Sequence, residues 1–222
     1  MRSSIYCFET RFTLLLTINK FTSITTRIDD DAYVTCGSAI KLSHTEKNNK
    51  YFLNSGGHRI NAGSGQQLVT SSPDSNQASS LWIIKEGDSA DVCTPGKPIL
   101  FGTKIRLSHV ETGANLHSHN VRSPLSNQQE ITAYGQEGSG DRGDNWIVNP
   151  ARGSEKYWKR GADVHIQHAD TGKYLGCTEQ AKFSRNNCGR NCPVMDHLEI
   201  FGRDRKDDFT KWSSDVGVFL SI

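Results

Sequence analysis

One pattern is written three times in this chain, and few folds can accommodate it. Its clearest copy runs from residue 105 to residue 148. Ile105, Leu107 and His109 alternate there with Arg106 and Ser108, the period of a half-buried strand. Thr112-Gly113 supplies a turn, because glycine takes positive φ without steric cost. Asn115-Leu116-His117-Ser118 reads as a return strand and Pro124, Ser126 and Asn127 as a second turn. Glu130-Ile131-Thr132-Ala133-Tyr134 makes a third strand and Trp146-Ile147-Val148 a fourth. Upstream the same order reappears as Ile40 to His44, Tyr51 to Ser55, Gly65 to Thr70 and Trp82 to Ile84. Downstream it runs Val164 to His168, Thr171 to Leu175, Leu198 to Gly202 and Trp212. The leading histidines stand at 44, 109 and 168, and each unit closes on a tryptophan, Trp82, Trp146 or Trp212. One four-stranded unit cannot bury its apolar side alone, whereas three can share a core. The spacing therefore predicts one all-β domain with units at 33–87, 97–151 and 158–220. They would close into a pseudo-threefold barrel capped by hairpins, a shape without free sheet edges.

A length of 222 residues suits a single domain of this size. The net charge of +2 and the lack of a dense Lys/Arg run argue against a nucleic-acid partner. No apolar run approaches the ~18–20 residues that span a bilayer, so no membrane span is expected. Residues 1–26 differ from the rest. Arg2 and Arg11 precede Phe12-Thr13-Leu14-Leu15-Leu16-Thr17-Ile18, and Ser/Thr-rich residues follow. That order predicts a secretory signal peptide, although Glu9 and the lack of an A-x-A site depart from the usual form. Residues 85–98 and 149–161 separate the units, and their Cys93 and Trp158 are residues that usually pack. The third unit carries an insertion, residues 181–196, which holds Cys188 and Cys192.

The stretch I-x-L-x-H-x-x-T-G-x-x-L-H-S-H, followed by S-N-Q-Q-E-I-T-A-Y and D-x-x-D-N-W, resembles the MIR repeat. Protein O-mannosyltransferases, inositol trisphosphate and ryanodine receptors, and stromal cell-derived factor 2 share that repeat. Three further stretches resemble the stromal cell-derived factor 2 branch: Val34-Thr35-Cys36-Gly37-Ser38, Gly63-Ser64-Gly65-Gln66-Gln67 and Cys93-Thr94-Pro95-Gly96. The likeness covers residues 33–220 and weakens in the third unit between Cys177 and His197. It implies a β-trefoil without enzymatic activity, in the endoplasmic-reticulum lumen or secreted. It also implies a DnaJ-type lumenal co-chaperone as partner and unfolded or glycosylated proteins as clients. A lectin-like module that binds glycans, or a remnant of a protein O-mannosyltransferase, is the alternative. The chain closes on Gly217-Val218-Phe219-Leu220-Ser221-Ile222, unlike a KDEL-type retrieval signal, so either retention comes from a partner or the protein is secreted.

His44, His109 and His168 are expected to anchor loops, because a buried imidazole needs partners for both nitrogens. His117 and His119 with Arg122 and Gln129 cluster only in the second unit, beside a turn. Imidazole, guanidinium and amide groups can chelate sugar hydroxyls or a peptide backbone, so these four are the candidate ligand-binding residues. Cys36 and Cys93 flank the first unit and are expected to form a disulfide. Cys177, Cys188 and Cys192 leave an odd count, giving one bridge and one free thiol, or a zinc set completed by His197. No cofactor is expected, and no metal site is assigned. Gly138 to Gly143 satisfies G-x-G-x-x-G, but Asp144-Asn145-Trp146 follows where a phosphate loop needs a helix. No G-x-S-x-G elbow, Walker loop or H-E-x-x-H occurs, so catalysis has no recognisable frame.

Overall fold

The computed structural model describes residues 32–59, 62–136 and 139–222; the signal peptide expected over residues 1–26 lies outside them. The first unit supplies β1 (Ala39–Glu46), β2 (Asn49–Asn54), β3 (Gln67–Leu68), β4 (Thr70–Ser72) and β5 (Trp82–Glu86). The second supplies β6 (Lys104–His109), β7 (Asn115–Arg122), β8 (Gln129–Tyr134) and β9 (Trp146–Pro150). The third supplies β10 (Val164–His168), β11 (Tyr174–Lys182), β12 (Leu198–Arg203) and β13 (Ser213–Val218), with a short helix α1 (Arg185–Cys188) in its insertion. The extra strand arises in the first unit, whose third strand changes partner at Val69. Gln67 and Leu68 pair with β8, whereas Thr70 to Ser72 pair with β2 and β12.

The first and last strands of each unit form a closed antiparallel ring. β1 pairs with β5, β5 with β6, β6 with β9 and β9 with β10. A Val164↔Trp212 bridge and the β13–β1 ladder complete the circuit. The inner strands form three hairpins that close one end, tied to each other through β3–β8, β8–β12 and β12–β4. This is a β-trefoil. Its hairpin turns follow local chemistry. Thr112-Gly113 and Thr171-Gly172 turn on glycines at φ 69° and 71°. The first unit instead uses Lys47-Asn48, both at positive φ, as the two-residue loop that matches strand twist.

Trp82, Trp146 and Trp212 are fully buried in equivalent places. Their indole N–H groups donate to the carbonyls of Leu53 (3.0 Å), Leu116 (2.8 Å) and Leu175 (2.8 Å), tying the last strand of each unit to its own second strand. The leading histidines tie each unit to the one before. His109 reaches Ser79 O through Nε2 and Thr112 Oγ1 through Nδ1, both at 2.9 Å, with its ring 4.9 Å from that of Trp82. His168 repeats this on Gly143 O and Thr171 Oγ1, against Trp146. His44 holds Lys211 O of the third unit through Nδ1 at 2.9 Å, against Trp212. Position 47 is a lysine where the other units place a threonine, so this third junction lacks the hydroxyl bond.

A second tie also runs around the axis. Glu130 accepts from Ser64 N of the first unit, and Glu199 accepts from Leu125 N (2.6 Å) and Ser126 N (2.7 Å) of the second. Leu68 stands at the equivalent position of the first unit and packs with Phe183 and Val194 of the third-unit insertion. At that position the insertion sets an apolar contact in place of the carboxylate, and Glu46 ties these two units instead, accepting from Glu179 N at 2.7 Å.

Among the described residues two disulfides are formed, Cys36–Cys93 as expected and Cys188–Cys192 within the insertion. Cys177 is the buried free thiol, and burial pushes its pKa well above the usual thiol value. His197 bonds Thr70 Oγ1 at 2.9 Å. The zinc alternative is thereby corrected: pairing of Cys188 with Cys192 removes two of its four ligands.

A Cys36→Ser, Cys93→Ser double variant should lose about 4 kcal/mol of stability, the chain-entropy value for a loop of this length. An unchanged denaturation midpoint would contradict the bridge. Trp146→Phe should cost about 1–3 kcal/mol, since Leu116 O would stay buried without its donor; a urea titration at fixed m-value measures it.

Candidate functional site

Period-two alternation on β7 puts His117 and His119 on one face of the strand. The three leucine carbonyls that accept indole bonds set the register between units. His117 therefore corresponds to Asn54 and Gly176, and His119 to Gly56 and Thr178. The imidazole pair belongs to the second unit alone.

Each imidazole is held by a buried carboxylate. His117 Nδ1 lies 2.9 Å from Asp144 Oδ1, and Asp144 is wholly buried. The other Asp144 oxygen accepts from Asn115 Nδ2 (3.2 Å) and Asp141 N (2.9 Å). Asp141 in turn accepts from Gly143 N, so the two aspartates box a single 3-10 turn, Arg142–Asp144, under the histidines. His119 Nε2 lies 2.8 Å from Glu130 Oε2, the carboxylate that also receives Ser64 N. Between the rings, His117 Nε2 and His119 Nδ1 are 3.2 Å apart. The result is a continuous row, Asp144–His117–His119–Glu130, in which Asp144, His117 and Glu130 are buried and His119 is half-buried. Arg142-Gly143-Asp144 spells an adhesion tripeptide, but its carboxylate faces inward and is taken by this row.

The four residues expected to bind ligand fall into two neighbouring depressions. His117 and His119 line the first, of about 560 Å³, together with Tyr134, Arg142 and Asp170. Arg122 and Gln129 line the second, of about 350 Å³, with Lys173 and Asp204. Arg122 is exposed and donates to Asn127 O within its own hairpin. Gln129 donates to Ser118 Oγ (2.6 Å) and Thr171 Oγ1 (2.8 Å), as Gln67 donates to Ser55 Oγ and Thr112 Oγ1 one unit earlier. Its amide N–H groups thus serve the frame. Asp144 and Glu130, which orient the histidines, were not singled out from sequence. Asp144 stands two residues before the repeat's tryptophan, a fixed spacing that could have marked it. The nitrogen of each imidazole turned away from its carboxylate faces the other imidazole rather than a serine or cysteine, so the row pairs no nucleophile with a base. Its chemistry is that of an open polar surface able to hold hydroxyls, amides or a cation.

The closed ring, the three-hairpin cap and the histidine ties define a trefoil of three MIR-type units. A family model for the MIR domain matches residues 32–190. A stromal cell-derived factor 2-like protein of Dictyostelium discoideum is 40% identical over 192 residues, 84% of each chain. The crystal structure of the SDF2-like protein from Arabidopsis thaliana aligns with a TM-score of 0.77 at 33% identity, covering 86% of this chain and 98% of that one. A protein O-mannosyltransferase complex of S. cerevisiae, solved bound to the sugar donor, aligns with a TM-score of 0.70 at 26% identity, covering 88% of this chain and 27% of that one. The chain belongs to the MIR-domain family, within its stromal cell-derived factor 2 group.

The anchoring histidines set an acid limit on the frame. Burial lowers the pKa of His109, His165, His168 and His197 below 6.5, outweighing the backbone hydrogen bonds that raise those of His109, His165 and His168. The unfolded chain then binds more protons than the folded one in that range, so stability is full above the unfolded value and declines as pH falls through it. Thermal melts should show a constant Tm from neutral to mildly alkaline pH and a falling Tm below about 6.5. A Tm that rises on acidification would contradict the neutral, buried state of these rings.

Proposed function

We propose that the chain is a non-enzymatic adaptor of the secretory pathway, in the endoplasmic-reticulum lumen or secreted. It would pair with a DnaJ-type lumenal co-chaperone and hold unfolded or glycosylated client proteins. The observation that carries this reading is the Cys36–Cys93 bridge, which closes 57 residues and ties the opening of the trefoil to the loop before its second unit. Structural disulfides persist in oxidising compartments and are rare in the cytosol. Membership of the stromal cell-derived factor 2 group supports the same setting. The row of imidazoles and carboxylates lacks a paired nucleophile, which favours binding over catalysis.

Clients would be held on the second unit, where two adjoining depressions present His119, Arg122, Arg142 and Asp170 to solvent. Polar groups fixed by a rigid sheet lose little freedom on binding, and that favours modest, reversible contacts with many chains.

Tagged protein recovered from its native cells after mild crosslinking should bring down a DnaJ-type lumenal protein in near-stoichiometric yield, together with client polypeptides. A His119→Ala, Arg122→Ala variant should melt close to the parent and lose clients severalfold. Unchanged client recovery would reject this face. Recovery of glycoproteins alone, released by free sugar, would replace the adaptor with a lectin.

A further inference from the structure

The two carboxylates of the row are acceptors only, and each takes the outer nitrogen of its histidine. His117 Nδ1 faces Asp144 at 2.9 Å and His119 Nε2 faces Glu130 at 2.8 Å. In the tautomers that donate to these carboxylates, each ring spends its N–H on the outer contact. That leaves two lone pairs, His117 Nε2 and His119 Nδ1, facing one another at 3.2 Å. Two lone pairs at that distance repel unless a cation sits between them. A direct N–H···N bond, with one ring carrying the inner proton, or a metal ion held by both nitrogens relieves that contact.

The spacing suits the metal. Zinc–imidazole bonds of about 2.0–2.1 Å at a tetrahedral angle separate two nitrogens by about 3.3 Å. The surroundings suit it as well. Metal-ligating histidines almost always donate their remote N–H to a carboxylate, carbonyl or water, which fixes the tautomer and raises ligand basicity. Here both remote nitrogens have such a carboxylate, and both carboxylates are fixed by backbone N–H groups, Asp141 N on Asp144 and Ser64 N on Glu130. The pair also opens onto the larger depression of the second unit, so water or a ligand could complete the coordination.

We propose that His117 Nε2 and His119 Nδ1 form a site for a divalent first-row transition metal of the zinc class, with Asp144 and Glu130 as positioning residues. Imidazole donors favour zinc, copper or nickel over magnesium or calcium. A second arrangement, in which His117 Nδ1, Asp141 and Asp144 hold the ion, is disfavoured. It would replace the His117 Nδ1–Asp144 Oδ1 hydrogen bond, and Gly143 packs tightly against that edge of the His117 ring, where even an added Cβ would lie 2.4 Å from Cε1. The proposal stands apart from the adaptor reading, because metal binding is read on the purified chain alone.

The test is titration of chelator-stripped protein with zinc, followed by calorimetry and by the imidazole nitrogen NMR shifts. One equivalent should bind, moving the signals of His117 Nε2 and His119 Nδ1 and leaving those of His109 and His168 in place. His119→Ala should abolish binding, and Glu130→Gln should weaken it about tenfold to hundredfold. Since His119 is half-buried, a melt of the His119→Ala variant near that of the parent separates loss of a ligand from loss of fold. No binding by the parent protein at millimolar zinc would leave a shared proton only and overturn the proposal. Binding that survives His119→Ala would overturn it too.

Discussion

A unit of four short strands has open edges and a core it cannot close, so every part of this molecule depends on joining three units into one ring. The joints are specific hydrogen bonds laid over shared apolar burial. Each tryptophan fills the core and gives its N–H to a leucine carbonyl of its own unit. Each leading histidine packs on the tryptophan of the unit before and grips the turn that precedes that tryptophan or the residue just after it. Burial alone would tolerate slippage of one unit against the next, because apolar contact is nearly non-directional. A carbonyl that only one ring nitrogen can satisfy does not tolerate it, since an unpaired buried polar group costs about 1–3 kcal/mol.

The ring is not symmetric. Two junctions carry a histidine–threonine pair, a glutamine fork and a carboxylate clasp. The junction between third and first units keeps the histidine and sets Leu68 against Phe183 and Val194 where the others place a glutamate, while its carboxylate tie is Glu46, which accepts from Glu179 N at 2.7 Å. The second unit is flanked on both sides by the histidine–threonine and glutamine ties. Its face can therefore host Asp144, His117, His119 and Glu130, four ionisable groups that a less constrained surface would leave in water. Each is oriented by a neighbour already committed to the frame: Asp144 by its capping box, Glu130 by Ser64 N.

Spacing made the ring legible, since three histidines and three tryptophans recur at near-constant intervals and period-two alternation marks the strands between them. The Cys36–Cys93 bridge was legible from position, one cysteine on either side of the first unit. Partnership was harder to read. Glu130 meets Ser64 across 66 residues, and His117 meets Asp144 across 27, so no local pattern couples them. Gln129 illustrates the converse. Its place beside a turn in a polar cluster suggested ligand contact, yet two hydroxyls from different units take its N–H groups. The equivalence of Gln67 with Gln129 was visible in the shared Gln-Gln pairs, but its meaning depends on Thr112 and Thr171 arriving from the following unit. The zinc alternative for the third unit failed because Cys188 and Cys192 lie within reach of each other across a single turn.

On the proposed reading, clients contact the face of the second unit. Amide hydrogen exchange with and without a bound unfolded polypeptide tests this most directly. Added protection should appear along β7 and β8 and at the turn Arg142–Asp144, with the ring strands of the other units unchanged. Protection confined to the third-unit insertion, or spread evenly over all three units, would contradict the account.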